Sequence, residues 1–279
     1  MDIIGQINSN KRLLLGMPVH DISRYQLFHY IEAAIQTNNK LIIFGIATGT
    51  FGELNWHPEF IRFFDEMDIV LPEGGGIPIL GKIFNVHITE HLAIVDISNE
   101  LIKIAAEKNY KIMLFGAKQH VNELANEKIK QRYPMINLAK GINGYYEKND
   151  EINIVNRINN EMPDILFIGI KSPIKEEFAL KYKNKLNVKI IIPCGGYFDV
   201  LAGLVKRPKY SFKYFPTTWL FRFFSEPRRL YKQTLLPIFK FVFYIFPVLF
   251  LKHNLGIEKN PSIIKFYNLE NKKYSSTYE

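Results

Sequence analysis

Two short stretches of this 279-residue chain set a carboxylate beside consecutive glycines. The first is Leu71-Pro72-Glu73-Gly74-Gly75-Gly76, and the second is Cys194-Gly195-Gly196-Tyr197-Phe198-Asp199. Each follows an Ile/Leu/Val-rich run and precedes a helical pattern. Glycines at such a turn let the backbone approach a ligand closely, and the N-terminus of the next helix favours a phosphate. A carboxylate there would meet whatever the loop holds. A plain structural turn stands beside this reading for both loops. For Asp199, so does a first-turn carboxylate that complements the helix dipole. Neither loop has the Gly-x-Gly-x-x-Gly or P-loop spacing, so dinucleotide and ATP binding lose support.

Two other motifs promise less. His87-Ile88-Thr89-Glu90-His91 matches the H-x-x-E-H pattern of inverted zinc peptidases. On a helix its two histidines would share a face, but Val86–Thr89 reads as partly extended, so no zinc site is expected. Cys194, the single cysteine, excludes an intramolecular disulfide and any Cys-rich zinc site. It follows a buried strand with no histidine nearby in sequence, which is a poor setting for a nucleophile.

The elements that must position the glycine loops follow a strand–helix alternation. Short runs that are apolar on both faces predict buried parallel strands at Leu41–Ala47, Asp68–Leu71, Lys111–Phe115, Ile136–Ala139, Ile165–Ile170 and Val188–Pro193. Amphipathic stretches predict helices at Tyr25–Gln36, Ile77–Phe84, Val95–Lys108, Val121–Tyr133 and Ile174–Leu186. Ser23 followed by Gln26 forms a capping-box signature before the first of these. The fold class expected is α/β: a mostly parallel, Rossmann-like sheet with helices on both faces. In such sheets ligands sit outside the C-terminal strand ends, where both glycine loops fall.

The alternation stops near Arg207, and the charge changes there too. The net charge is +9, yet Val200–Glu279 holds 14 Lys/Arg against 4 Asp/Glu, while residues 1–199 hold 22 against 23. The basic third also contains the most apolar run, Leu235–Leu251, broken by Pro237, Lys240 and Pro247. As a helix it reaches about 25 Å, short of a bilayer core of about 30 Å. Basic and aromatic together, it reads as a surface for anionic membrane rather than for nucleic acid. An interfacial or hairpin-like insertion fits best, with a bilayer span and a buried hydrophobic helix as the alternatives. The expected organisation is a catalytic domain at 1–207 and a membrane-associating appendage at 208–279. Met1–Lys11 is polar with no apolar core, so a secretory signal is not expected. With a single cysteine, the chain reads as one kept in a reducing compartment.

Several multi-residue stretches carry a resemblance over roughly residues 13–232. They are Gly16-Met-Pro-Val-His-Asp-Ile22, Pro72-Glu73-Gly74, Pro163-Asp164 with Gly169-Ile-Lys-Ser-Pro-Ile-Lys-Glu176, residues 194–207, and Trp219-Leu-Phe-Arg-Phe-Phe-Ser-Glu-Pro-Arg-Arg-Leu230. Together they resemble the signature of the WecG/TagA/CpsF glycosyltransferases. The resemblance implies an inverting bacterial enzyme that moves a sugar, often of N-acetylmannosamine type, from a UDP-sugar to a polyprenyl-diphosphate-linked sugar in cell-envelope or exopolysaccharide assembly. It implies no metal cofactor, a peripheral place on the inner face of the cytoplasmic membrane, and plausible self-association. Nucleic acid is not an expected partner.

On that resemblance Glu73 takes the place of the family's loop Asp, a candidate base on the acceptor hydroxyl. Gly74, Gly76, Asp96, Gly195, Gly196, Asp199, Thr48 and Lys175 are the expected donor-site residues. For Asp96, a place in the turn before a helix is the other reading. Arg207, Arg222, Arg228 and Arg229 are expected at the acceptor diphosphate or the membrane, the alternative being a solvated or lipid-facing basic surface. The sequence departs from the pattern inside the site. The family's early T-x-N falls on Gly45-Ile46-Ala47, with Thr48 and Thr50 as the nearest substitutes. Its R-x-x-G-x-D becomes His91-Leu-Ala-Ile94-Val-Asp96, its Gln becomes Lys175, and the Glu before the appendage Trp is Thr218. These changes also keep open a second reading: a catalytically altered relative that binds a nucleotide sugar or a partner transferase at the membrane.

Overall fold

The computed structural model describes residues 2–54, 59–205, 231, 236–240 and 242–243. The chain opens with α1 (Ile3–Ser9), an antiparallel hairpin of β1 (Lys11–Leu14) and β2 (Met17–His20), and α2 (Arg24–Gln36). Then come β3 (Leu41–Ile46), α3 (Thr48–Leu54), α4 (Glu59–Glu66), β4 (Ile69–Pro72), α5 (Gly76–Ile83) and α6 (Ile94–Lys108). The body continues through β5 (Ile112–Gly116), α7 (Gln119–Arg132), α8 (Glu151–Glu161), β6 (Ile165–Gly169), α9 (Ile174–Tyr182), β7 (Ile190–Pro193) and α10 (Tyr197–Leu201). One more short helix, α11 (Leu236–Lys240), packs against α3.

Strands β3 to β7 form one parallel sheet in the order β4-β3-β7-β6-β5. Each is buried on both faces, which is why the runs are uninterrupted Ile, Leu, Val and Phe. Alternate residues enter separate cores. Ile42, Phe44 and Ile46 pack with α4, α8 and α9, whereas Leu41 and Ile43 pack with α2, α6 and α7. The capping box of α2 is formed: Gln26 N–H donates to Ser23 Oγ (3.2 Å), and Ser23 N–H donates to Gln26 Oε1 (2.9 Å). Leu27, Phe28, Tyr30, Ile31 and Ala34 line the inner face of that helix, and a large apolar side chain buried in this way contributes roughly 1.5–3 kcal/mol.

The topology fixes where a ligand can sit. Strand β3 connects to its neighbour β4 through α4, on one face of the sheet. Strand β4 connects across the whole sheet to β5 through α5, whose Ile77 and Leu80 join the α4 side, and then through α6, which crosses on the opposite face. Connections that leave adjacent strands toward opposite faces open a crevice at their C-terminal ends. The other end of the sheet is closed by charge pairs. Asp68 accepts from Ile42 N–H and from Lys183 (2.7 Å each), and Asp164 accepts from Lys111 N–H (2.9 Å) and pairs with Lys189 (3.2 Å).

Three sequence expectations change. Ile136–Ala139 is not a continuous strand: it pairs with β5 at one isolated bridge, Leu138, where Ile112 N–H donates to Asn137 O and Ala139 N–H to Ile112 O (2.9 Å each), and the next bridge falls four residues on at Ile142. The helix expected at Ile174–Leu186 ends at Tyr182. The hairpin β1–β2 is additional; Leu15 and Gly16 form its turn, both with positive φ.

Candidate functional site

The first glycine loop lies at the β3–β4 crevice. Glu73 N–H donates to Ile46 O (2.8 Å), which extends the β3–β4 pairing one residue beyond the strands. The Glu73 side chain then lies over Gly45. A Cβ at Gly45 would come 2.5 Å from Glu73 Oε2, so the absence of a side chain at 45 creates the space the carboxylate occupies. Gly74 takes φ +82° and turns the chain into α5. Gly76, the first residue of α5, faces Thr48, the first residue of α3, so closely that any Cβ at 76 would collide with the Thr48 hydroxyl. Thr50, the other substitute, uses its hydroxyl to accept from Ala47 N–H (3.1 Å).

Helix α6 also begins at this end. Leu92 N–H donates to Pro72 O (3.1 Å), and Ile94 borders the space over Gly45. Asp96 therefore lies in the first turn of α6, where a carboxylate complements the helix dipole. Three helices, α3, α5 and α6, thus start around Glu73, and helix N-termini favour negative charge.

The second loop follows β7, on the other side of β3. Gly195 adopts φ +54°, Gly196 is the N-cap of α10, and Asp199 lies in that helix's first turn. With the ends of β5 and β6 this loop lines a cavity of about 490 Å3, within the range of about 300–1,000 Å3 common for small-molecule sites. Gly195, Gly196 and Asp199 line it together with Lys118, Tyr145 and Lys171. The last three were not singled out from sequence. Lys118 and Lys171 had a detectable signal: each lies two residues past a strand-ending glycine, at the end of the sheet where ligands bind.

Lys175 is positioned differently from the expectation of a donor contact. It is buried, its ammonium binds the Glu176 carboxylate and the Ser172 hydroxyl, and it lies 4.7 Å from the centre of the Phe44 ring. Its charge is engaged inside the protein, beneath the Gly195 loop. Cys194 bridges the two loops electrostatically, since its thiol feels both the Lys175 ammonium and the Glu73 carboxylate. Burial pushes that thiol well above its ordinary range, so it is held as a thiol and is no nucleophile.

The H-x-x-E-H stretch forms no helix. His87 pairs with Asp21 (2.7 Å), and Glu90 accepts from Arg24 N–H (2.8 Å). Among the described residues no group of His, Cys, Asp and Glu is arranged to hold a metal ion. Asp21 also accepts from Thr89 N–H and Oγ (2.6 Å each), and these contacts hold its carboxyl below the usual range against the opposing effect of burial. The stretch is a tether between the β2–α2 turn and the approach to α6. Arg207, Arg222, Arg228 and Arg229 lie outside the described residues, as does most of Leu235–Leu251. Among the described residues no helix is long and apolar enough to cross a membrane.

Comparisons with known proteins identify the family. Two Staphylococcus aureus proteins, from strains MRSA252 and MW2, are each 26% identical over 243 residues, covering 86% of this chain and 95% of theirs. Both are named N-acetylglucosaminyldiphosphoundecaprenol N-acetyl-beta-D-mannosaminyltransferase. The sequence model described as "Glycosyl transferase WecG/TagA/CpsF family" matches residues 12–254, most of the chain. The chain belongs to this family and is a glycosyltransferase.

Proposed function

We propose that this glycosyltransferase moves a sugar, of N-acetylmannosamine type or another hexose, from a UDP-sugar to a polyprenyl-diphosphate-linked sugar, with inversion and without a metal. The observation that carries the reading is the Glu73 carboxylate over Gly45, at the crevice where connections from β3 and β4 diverge. In a single displacement the acceptor hydroxyl oxygen attacks the anomeric carbon. The new C–O bond forms as the bond from that carbon to the diphosphate breaks, and UDP leaves with the electron pair. Glu73 takes the hydroxyl proton. The cavity beside the Gly195 loop takes the nucleotide, with Gly195, Gly196 and Asp199 at its wall and Lys175 supporting the loop from beneath. Thr48, Gly74, Gly76 and Asp96 shape the sugar end of the crevice.

The names of the two relatives, whose acceptor is a lipid-linked N-acetylglucosamine, support this acceptor. Residues 1–207 form the catalytic unit. Residues 208–279 bring it to the inner face of the cytoplasmic membrane, with Arg207, Arg222, Arg228 and Arg229 at the acceptor diphosphate or lipid headgroups. The test is UDP release by the full-length protein in detergent micelles, with polyprenyl-diphosphate-linked N-acetylglucosamine and a panel of UDP-sugars, with and without EDTA. EDTA-insensitive turnover with one donor supports the reading. Absence of turnover with every donor, alongside saturable UDP-sugar binding, favours a non-catalytic relative.

A further inference from the structure

The parallel pairing of β5 with β6 sets Gly116 directly opposite Gly169. Each glycine is followed by one apolar residue and then a lysine: Gly116-Ala117-Lys118 and Gly169-Ile170-Lys171. The two lysines therefore leave adjacent strand ends at equivalent positions, where neighbouring backbones run about 5 Å apart. Both are exposed, and both line the cavity that Gly195, Gly196 and Asp199 border. Their setting differs from that of lysines at the opposite end of the sheet. There Lys111, Lys183 and Lys189 each pair with a carboxylate, Glu161, Asp68 and Asp164 respectively. Lys118 and Lys171 are paired with no carboxylate among the described residues. Lys118 is also the N-cap of α7 and places no side-chain acceptor on the first-turn N–H groups. The facing walls are apolar or aromatic, from Val121, Tyr145, Ile170 and Phe198.

We infer that Lys118 and Lys171 form a two-pronged clamp for the diphosphate of a nucleoside diphosphate, whose nucleoside packs against the apolar wall. The inference rests on the donor-nucleotide reading above and adds the residues that recognise the phosphates. Two ammonium groups on adjacent strand ends match two linked phosphates better than one, and each is a charge without an internal partner to displace. The clamp provides for the leaving group: charge that builds on the diphosphate as the sugar departs develops between two fixed cations.

The test is calorimetric titration of the full-length protein in detergent with uridine, UMP and UDP, using wild type, Lys118→Met, Lys171→Met and the double variant. The expected order in wild type is UDP tighter than UMP, and UMP tighter than uridine. Each single variant loses affinity for UDP by roughly tenfold or more, and the double variant loses the preference for UDP over uridine. Uridine affinity itself stays within twofold in all four proteins, a result that a distorted fold would not give. UDP binding that is unchanged in the double variant overturns the clamp while leaving the nucleotide reading in place. Wild-type protein that binds none of the three ligands overturns that reading, and the clamp with it.

Discussion

The contact between Gly45 and Glu73 predicts an intolerance that a glycine on an ordinary strand would not have. An alanine Cβ at 45 would lie 2.5 Å from Glu73 Oε2, 3.1 Å from Glu73 Cβ and 2.8 Å from Ile94 Cγ1. Ordinary van der Waals contact begins at 3.4 Å, so the carboxylate must retreat by 3.4 less 2.5, about 0.9 Å. A displacement of about 1 Å in a catalytic group costs on the order of 100-fold in rate, or about 2.7 kcal/mol of barrier. Gly45→Ala is therefore expected to lower kcat for UDP release about 100-fold. The KM for the UDP-sugar should change little, because the cavity proposed for the nucleotide is lined by other strand ends. Glu73→Asp shortens the acid by one methylene and relieves the closest of the three contacts, that with the carboxylate oxygen, leaving those with Ile94 Cγ1 and the residue-73 Cβ. The double variant Gly45→Ala/Glu73→Asp is accordingly expected to exceed Gly45→Ala alone in turnover, although each single change is harmful. Thermal melting shows whether the variants fold alike. Turnover by Gly45→Ala equal to wild type, or losses that simply add in the double variant, would refute the reasoning.

Other consequences follow from the same geometry. Glu73→Gln keeps the shape of the side chain and removes its basicity, so kcat should fall about 100- to 10,000-fold with UDP-sugar binding retained; full turnover would remove Glu73 as the base. Buried His20 accepts Val70 N–H at Nδ1 (2.9 Å), and burial, aided by Lys11, lowers its pKa from 6.5 to about 4. The unfolded chain takes up this proton at higher pH than the folded chain, so the contribution, about 3 kcal/mol, is fully present above pH 6.5 and is lost as pH falls toward 4. Urea midpoints between pH 7 and 4 should show that slope in wild type and lack it in His20→Gln, and equal slopes would contradict the account. Asn122 is buried, and its Nδ2 donates to Leu114 O, Gly116 O and Ile142 O at 3.0–3.1 Å, so Asn122→Leu should cost about 2–3 kcal/mol in denaturant titration and weaken UDP binding by loosening the Gly116 loop.

The sheet was legible in the sequence because its strands are buried on both faces. Lys111–Phe115 and Ile165–Ile170 fall within a residue of β5 and β6 at each end. An apolar run that meets a sheet edge at an isolated bridge gives the same signal without a continuous ladder, which is why Ile136–Ala139 misled. The hairpin was hidden because Arg12 and Leu13 are exposed and Pro18 sits inside a strand, which weakens the alternation. In the site, both glycine loops were visible as glycine pairs beside a carboxylate. Gly45 was visible only as a departure from the family pattern; its consequence depends on a neighbouring strand placing Glu73 above it. Lys118 and Lys171 were missed because a single glycine followed by a lysine is common, and only the register of β5 against β6 brings the two together. Lys175 could not be read correctly from sequence, since its partner Glu176 is adjacent in the chain and only burial forces the two charges to meet.

These findings bear on whether the altered motifs indicate a retired catalyst. Loss of function by drift would leave isolated vacancies: a polar group removed, with its neighbours unchanged. The structure shows matched changes instead. Where the family pattern has a polar residue on β3, this chain has Gly45, and the longer acid Glu73 fills the space that Gly45 leaves. Where the pattern has Gln, the chain has Lys175, and its charge is met by Glu176 and Ser172 rather than left unpaired in the interior. Past β6 the chain has Lys171, opposite Lys118 at the equivalent position past β5. The compensated set fits a working site, and the changed residues lie where the proposed function puts the substrates rather than in the framework of the fold.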